Sequence, residues 1–114
     1  MNVTPDSSDS GGGGAITETI KSSYESFRYL NHPCPTRQPA RIATVAALAG
    51  VDAPDPSTAR VLEIGCGDGG NLVPMAAAAP LGRFVGIDIA TRPVGDARAW
   101  AGDLGLANVE CLAG

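Results

Sequence analysis

The sequence predicts an α/β fold in which three parallel strands form one sheet with helices beside it. Two observations lead to this prediction. The apolar run of residues 61–64 is followed by a glycine-dense turn and an alanine-rich stretch, which is the order of a strand, a turn and a helix. A second apolar run then covers residues 83–88, and strands joined through a helix in this way pair in parallel.

The first 59 residues are predicted to lie outside the sheet. Residues 1–14 contain four consecutive glycines and few apolar side chains, so we expect a disordered tail. Residues 15–59 are predicted to form a helical extension and a linker. Apolar side chains at intervals of three or four residues indicate its first helix. They are Ile16, Ile20, Tyr24, Phe27 and Leu30.

A second helix is predicted to begin at Pro39, because proline costs nothing in the first turn of a helix. Gly50 follows the apolar face of this helix and is suited to end it. We expect the helix to pack against the sheet. Residues 51–59, which include Pro54 and Pro56, are predicted to be the linker.

The remaining elements follow the first strand. Residues 71–79 and 93–104 are predicted helices, the latter ended by Gly105, and residues 108–112 begin a third strand. Five side chains of the later helix are expected to face the sheet: Val94, Ala97, Trp100, Ala101 and Leu104.

We predict both the place of the first strand in the sheet and its burial. In the spatial order 3-2-1 it lies at an open edge of the sheet. Because parallel sheets are normally covered on both faces, we also expect Val61, Leu62 and Ile64 to be buried on both faces.

The composition of the chain limits which molecules it can bind and indicates where it works. A net charge of −4 and a pI of about 4.7 leave no basic surface for nucleic acid or anionic lipid. Three widely spaced cysteines without a CxxC pair argue against a disulfide framework or a zinc site, and for a reducing compartment. With neither a membrane span nor a secretory signal in the sequence, we predict a cytoplasmic location.

The glycine turn matches two patterns. Gly65-x-Gly67-x-x-Gly70 fits the dinucleotide fingerprint, and Asp88 lies 18 residues beyond Gly70, near the expected ribose-binding acid. The turn also follows Glu63, two positions before the first glycine. A carboxylate there repels a pyrophosphate and attracts a cationic ammonium. S-adenosylmethionine carries such an ammonium together with a sulfonium, a carboxylate and a ribose.

The segment Glu63-Ile-Gly-Cys-Gly-Asp-Gly69 resembles motif I of class I S-adenosylmethionine-dependent methyltransferases, and Val85-Gly-Ile-Asp-Ile89 resembles their second motif. Residues 24–42, with His32-Pro-Cys-Pro35 at their centre, resemble the segment ahead of motif I in bacterial methyltransferases that carry a methyltransferase regulatory domain. That group includes protein-lysine methyltransferases. The resemblance implies a partial Rossmann-like fold, with S-adenosylmethionine as cofactor and residues 60–114 as the first half of its binding domain.

The resemblance also implies roles for single residues. Glu63 would hold the cofactor's ammonium, directly or through water, and the glycines would let the backbone approach the ligand. Asp88 would bind both ribose hydroxyls, Ile89 would lie on the adenine, and Cys66 would be a small apolar filler of the turn. The implied cofactor-binding residues are Glu63, Gly65, Cys66, Gly67, Gly69, Asp88 and Ile89. Neither a metal ligand nor a catalytic residue is identified.

Two features upstream allow alternatives. His32 could act as a general base, but its place in a proline-rich turn favours a structural role. Tyr24, Phe27 and Tyr29 could form a lid over the cofactor, although aromatic side chains are more often part of a core.

Three functional interpretations remain. We favour a methyltransferase whose acceptor is unknown, with a protein lysine suggested by the subfamily likeness. Because a complete fold of this class has more than three strands, we expect the 114-residue chain to be a truncated half, inactive alone. The second interpretation is a non-catalytic cofactor-binding or interaction module that self-associates through the open sheet edge. The third is an NAD-dependent oxidoreductase.

Overall fold

The computed structural model describes residues 12–26 and 31–114. The helices are α1 (Gly12–Ser26), α2 (Pro39–Leu48), α3 (Leu72–Ala78) and α4 (Thr91–Asp103). The strands are β1 (Arg60–Ile64), β2 (Arg83–Asp88) and β3 (Val109–Ala113). Two short 3-10 turns, Pro35–Arg37 and Pro56–Thr58, flank α2.

The three strands form one parallel sheet in the order β1-β2-β3. This confirms the predicted fold class and the predicted strand order. At the carboxyl end of β1, the backbone N–H groups of Gly65 and Cys66 both donate to the carbonyl oxygen of Ile87, at 2.7 and 3.2 Å. The glycine turn is therefore fixed to the end of β2.

The core lies on one face of the sheet. Helices α3 and α4 pack there against β2 and β3, and Phe84 of β2 is fully buried among them. Burial of one such aromatic side chain is worth about 1.5–3 kcal/mol. The side-chain amide of Asn108 donates to the carbonyl oxygens of Ala76 and Ala79, which fixes the end of α3 beside the start of β3.

The opposite face of β1 is exposed, and the expectation that this strand is buried on both faces is wrong. Leu62 and Ile64 are 59% and 83% exposed, while Val61 is half-buried. Side chains alternate along a strand, so Leu62 and Ile64 point away from the face that α3 and α4 cover. The described helices leave that side of β1 open.

Helix α2 begins at Pro39 as predicted, with Gly50 just past its end at a φ of 72°. The expectation that it packs against the sheet is wrong, because none of its residues is buried. Its main contacts are with the two 3-10 turns beside it. Both turns start with a proline, and they hold α2 along the linker rather than on the sheet.

Helix α1 begins at Gly12, so residues 12–14 of the predicted tail are helical. In its first turns the hydroxyl of Thr17 donates back to the carbonyl oxygen of Gly13 at 2.9 Å, a bond that replaces a contact with water and does not cap the helix. Residues 1–11, together with Phe27 and Leu30 of the predicted apolar face, lie outside the described residues. Within the described ranges, no helix has the length and apolar character needed to cross a membrane.

Helix α4 starts two residues earlier than predicted and ends before Gly105, whose φ is 65°. Val94, Ala97 and Ala101 are buried against the sheet as expected. Trp100 and Leu104 are exposed, so their prediction as sheet-facing residues is wrong. Trp100 lies beside the buried stripe of the helix, and Leu104 lies beyond its last turn.

Candidate functional site

Two cavities open at the carboxyl edge of the sheet. The polar cavity, of about 330 Å³, lies over the glycine turn and is lined by Gly65, Gly67 and Asp88 together with residues of α1 and α4. The apolar cavity, of about 360 Å³, is walled by Ile64, Ile87 and Ile89. Of the residues that the structure describes, three line both cavities: Tyr24, Gly65 and Asp88. The strand ends thus form one site with a polar part and an apolar part.

Asp88, the last residue of β2, lies where the two cavities meet. Its Oδ2 accepts a hydrogen bond from the backbone N–H of Gly67 at 2.8 Å, and its Oδ1 accepts one from the N–H of Ala90 at 2.9 Å. The carboxylate is therefore held from the glycine turn on one side and from the start of α4 on the other. Each oxygen keeps a second lone pair for a ligand.

The glycines of the turn serve different purposes. Gly65 has a φ of 77°, and a Cβ added there would meet nothing within 4 Å, so its side of the polar cavity is open to a ligand. Gly69 lies outside both cavity linings. A Cβ on Gly69 would lie 2.8 Å from Cγ2 of Val73 and 3.0 Å from Cβ of Ala97. Gly69 is therefore needed for close packing of the turn rather than for contact with a ligand.

Glu63 lies outside the linings of both cavities. Its Oε1 accepts a hydrogen bond of 2.9 Å from the side-chain amide of Asn71. Its Oε2 is buried and has no hydrogen-bond partner among the described residues. Asn71 itself is 6% exposed. Asn71 was not predicted as a site residue. The feature that could have indicated it is a polar residue directly before the apolar start of α3.

Residues 31–34, which we call the strap, cross the glycine turn. The side-chain amide of Asn31 donates to the carbonyl oxygen of Cys66 at 3.5 Å. The backbone of Asn31 lies so close to Gly70 that a Cβ there would collide with it. At the other end, the backbone N–H of Cys34 donates to Oδ1 of Asn71 at 2.9 Å. Sequence analysis assigned this segment no role.

Cys66 is 2% exposed, and its side chain lies in the core rather than in either cavity. Burial raises the pKa of its thiol to about 12, which supports its interpretation as an apolar filler. Burial also raises the pKa of Cys111, whereas a hydrogen bond with Thr36 lowers the pKa of the Cys34 thiol. All three cysteines are free.

The structure bears differently on the alternatives left open for the upstream aromatic residues and for His32. Tyr24 lines both cavities and is half exposed, so its interpretation as a core residue is wrong, and the alternative of a lid over the cofactor stays a prediction. Phe27 and Tyr29 lie outside the described residues. His32 is exposed and lines neither cavity. Helix α1 is linked to α4 by a hydrogen bond of 2.9 Å from the Thr91 hydroxyl to the Glu25 carboxylate.

An open parallel sheet with a carboxylate and a glycine turn at its carboxyl edge defines a nucleotide- or cofactor-binding α/β domain. The chain belongs to the putative methyltransferase family, whose model matches residues 57–114, about half of the chain. This match confirms the methyltransferase interpretation at the level of the family and decides against the oxidoreductase. In the described residues, no group of three or more side chains is arranged to hold a metal ion.

The chain is also similar to individual proteins. Uncharacterized protein RP789 of Rickettsia prowazekii is 36% identical over 87 residues, which are 76% of this chain and 16% of that protein. The structure of PKMT2 from Rickettsia typhi in complex with AdoHcy is 30% identical with a TM-score of 0.71, and the match covers 75% of this chain and 17% of that one.

A second solved structure covers more of the chain. The S-adenosylmethionine-dependent methyltransferase from Geobacter sulfurreducens, in complex with S-adenosyl-L-homocysteine, is 25% identical with a TM-score of 0.50. The match covers 87% of this chain and 36% of that one. The fold class is confirmed as a partial Rossmann-like methyltransferase fold. The chain spans less than a fifth of RP789 and of PKMT2.

Proposed function

We propose that this chain is the cofactor-binding part of an S-adenosylmethionine-dependent methyltransferase. The observation that supports this most strongly is the position of Asp88, which lines both cavities and is held by two backbone N–H groups. A carboxylate fixed in this way suits two adjacent hydroxyl donors, such as those of a ribose. The AdoHcy complex of the similar PKMT2 supports the same class of ligand.

The two cavities suit the two ends of this cofactor. We propose that the adenine occupies the apolar cavity, where Ile89 and its neighbours Ile64 and Ile87 offer an apolar wall. The amino-acid end then lies in the polar cavity over Gly65, whose backbone a ligand can approach closely because nothing lies within 4 Å of a Cβ position there. Both cavities are of the size common for small-molecule sites, about 300–1,000 Å³.

Glu63 is proposed as the partner of the cofactor's ammonium. A buried carboxylate oxygen without a hydrogen-bond donor is unfavourable, and no described residue donates to Oε2 of Glu63. A cationic donor would satisfy it. Because Glu63 lies outside both cavity linings, we propose that a water joins the two groups.

The chemistry follows from positioning. The bound sulfonium supplies a methyl carbon already activated for in-line displacement. The residues of this chain bind and orient it: Asp88 fixes the ribose, Glu63 the ammonium, and Tyr24 covers the site where the two cavities meet. Such positioning is a large part of catalysis for a displacement of this kind.

The methyl acceptor and the assembly state are further parts of the proposal. Among the described residues, the polar cavity is lined by Glu25, Asp68, Asp88 and Asp96 against the single cation Arg92, a charge balance that favours a cationic acceptor such as a lysine side chain. The exposed edge strand β1 supports self-association, which sedimentation of the purified chain would reveal. The cytoplasmic location stays a prediction.

Titration calorimetry with S-adenosylmethionine, S-adenosylhomocysteine and NAD tests the proposed function. We expect saturable binding of the first two ligands and no binding of NAD. Binding of NAD alone, or of none of the three, would contradict the proposal. The measurement needs no methyl acceptor and therefore tests the cofactor site by itself.

A further inference from the structure

We propose that Asn71 is a positioning residue that links the strap, residues 31–34, to Glu63, so that the seated strap sets the affinity for the amino-acid end of the cofactor. The inference rests on the proposed function and extends it. It gives a role to the upstream segment: Asn31 lines the polar cavity where it crosses the glycine turn, whereas the contact between Cys34 and Asn71 lies outside both cavity linings.

The Asn71 amide has one chemically allowed orientation. The backbone N–H of Cys34 can only donate, so the atom 2.9 Å away must be Oδ1 of Asn71. An ionised Glu63 carboxylate can only accept, so the atom facing its Oε1 at 2.9 Å must be Nδ2. One buried side chain therefore binds both the strap and Glu63: its amide oxygen accepts from Cys34, and its amide nitrogen donates to Glu63.

The prolines of the strap region explain why the contact falls at residue 34. Pro33 and Pro35 have no backbone N–H, so Cys34 offers the only backbone donor of residues 33–35. Pro35 also restricts the residue before it to extended conformations, and Cys34 has φ and ψ of −103° and 102°. The His-Pro-Cys-Pro sequence thus presents one N–H group in a fixed direction, and Asn71 receives it.

The strap is fixed at its other end by the glycine turn. Asn31 contacts the carbonyl oxygen of Cys66 and packs on Gly70, and Gly70 directly precedes Asn71. Strap, turn and Asn71 therefore form a closed ring of contacts, and Asn71 connects this ring to Glu63. The bond from Asn71 occupies Oε1 of Glu63 and leaves Oε2 as the oxygen that no described residue contacts by a hydrogen bond. Loss of the Cys34 N–H would free the Asn71 amide to rotate and would release Glu63 from this orientation.

The test removes the backbone N–H group of residue 34 with a proline, which also draws φ from −103° toward about −65°; a second ligand controls for this change. Cys34→Pro deletes the donor to Asn71, and Cys34→Ala is the matched control, which loses the thiol and keeps the N–H. Each variant is titrated with S-adenosylhomocysteine and with 5′-methylthioadenosine, which shares the nucleoside but lacks the ammonium. Because only the first ligand can use Glu63, a merely structural defect would weaken both ligands equally.

We expect Cys34→Pro to weaken S-adenosylhomocysteine binding about tenfold, the scale of one hydrogen bond to a charged group. Binding of 5′-methylthioadenosine should change less than twofold, and Cys34→Ala should match the wild type with both ligands. Equal losses for the two ligands, or no loss at all, would overturn the inference. A wild-type chain that binds neither ligand would instead overturn the proposed function.

Two further measurements keep the inference testable. Asn71→Leu removes both bonds at similar volume and should show the same ligand-selective loss. Independently of any ligand, nuclear magnetic resonance should show slowly exchanging side-chain amide protons of Asn71 in the wild type and in Cys34→Ala, and fast exchange in Cys34→Pro. Equal exchange in all three proteins would contradict a link between the strap and Asn71.

Discussion

The ends of β1 and β2 lie side by side at one edge of the sheet, yet they hold their carboxylates in opposite ways. Asp88, at the end of β2, faces both cavities and is held by two backbone N–H groups. Glu63, near the end of β1, faces neither cavity and is held by one side-chain amide. Asp88 is thus fixed by backbone groups of the glycine turn and of the start of α4. Glu63 depends instead on the side chain of Asn71 and, through Asn71, on the strap.

Strand geometry accounts for the difference. Glu63 pairs in register with Gly86, one of the β2 residues that face the helices, and side chains alternate along each strand. Its carboxylate therefore points to the covered side of the sheet. Asp88 is the final residue of its strand, where the chain turns toward α4 and the side chain can reach the edge. Two acids in neighbouring motifs therefore need not have equivalent surroundings.

The largest expected effect follows removal of the fixed carboxylate. Asp88→Ala should weaken S-adenosylhomocysteine binding at least about a hundredfold, since two hydrogen bonds to a charged group are worth about 1.5–3 kcal/mol each. It should also leave the N–H groups of Gly67 and Ala90 without their partner, at a cost of about 1–3 kcal/mol in stability. Calorimetry and thermal unfolding measure the two effects.

Asp96→Ala is the matched control for Asp88→Ala. Asp96 lines the same polar cavity and is exposed, so its removal subtracts the same charge without removing a fixed contact. We expect a change in affinity below about threefold, because exposed charges are well screened. Equal losses in the two variants would show that Asp88 acts by charge alone and not as a hydroxyl acceptor.

A smaller loss of affinity, without a loss of stability, is expected from a substitution at Glu63, near the end of β1. Glu63→Gln keeps the acceptor for Asn71 and removes the buried charge, so the free protein should be at least as stable as the wild type. Affinity for S-adenosylhomocysteine should fall about tenfold, as for the loss of one charged hydrogen bond. A destabilised protein with unchanged affinity would show that Glu63 serves the fold and not the ligand.

The smallest effect is expected at Cys66, which lies between the two strand ends. Its side chain is in the core, so Cys66→Ala should change cofactor affinity less than about twofold. Because a pKa of about 12 leaves roughly 10⁻⁴ of the thiol ionised at pH 8, alkylation should modify Cys34 first and leave Cys66 intact. Equal alkylation of both, read by mass spectrometry, would mean that the glycine turn opens readily.

Much of the site could be predicted because it depends on local patterns. The glycine pattern predicted the turn, and the bounds of β2 match those of the predicted strand. Because Asp88 ends that strand, the sequence also placed it at the carboxyl edge of the sheet. The exposure of Leu62 and Ile64 was mispredicted. Alternation states that neighbouring residues face opposite sides, but it does not state which side the helices cover.

The rest of the site depends on contacts between distant residues. The bond between Cys34 and Asn71 joins positions 37 residues apart, and no local pattern in either segment points to the other. The hydrogen bond of Glu63 is also a tertiary contact: β1 sets the side of the sheet that Glu63 faces, but its partner Asn71 lies beyond the strand, at the start of α3. The sequence thus predicted the residue types of the site better than their partners.

A crystal structure of the chain in complex with S-adenosylhomocysteine tests the central claim most directly. We predict that both ribose hydroxyls lie within about 2.5–3.0 Å of the Asp88 carboxylate oxygens, with the adenine against Ile89 in the apolar cavity. A ligand bound away from the carboxyl edge of the sheet, or a ribose that makes no contact with Asp88, would contradict the account.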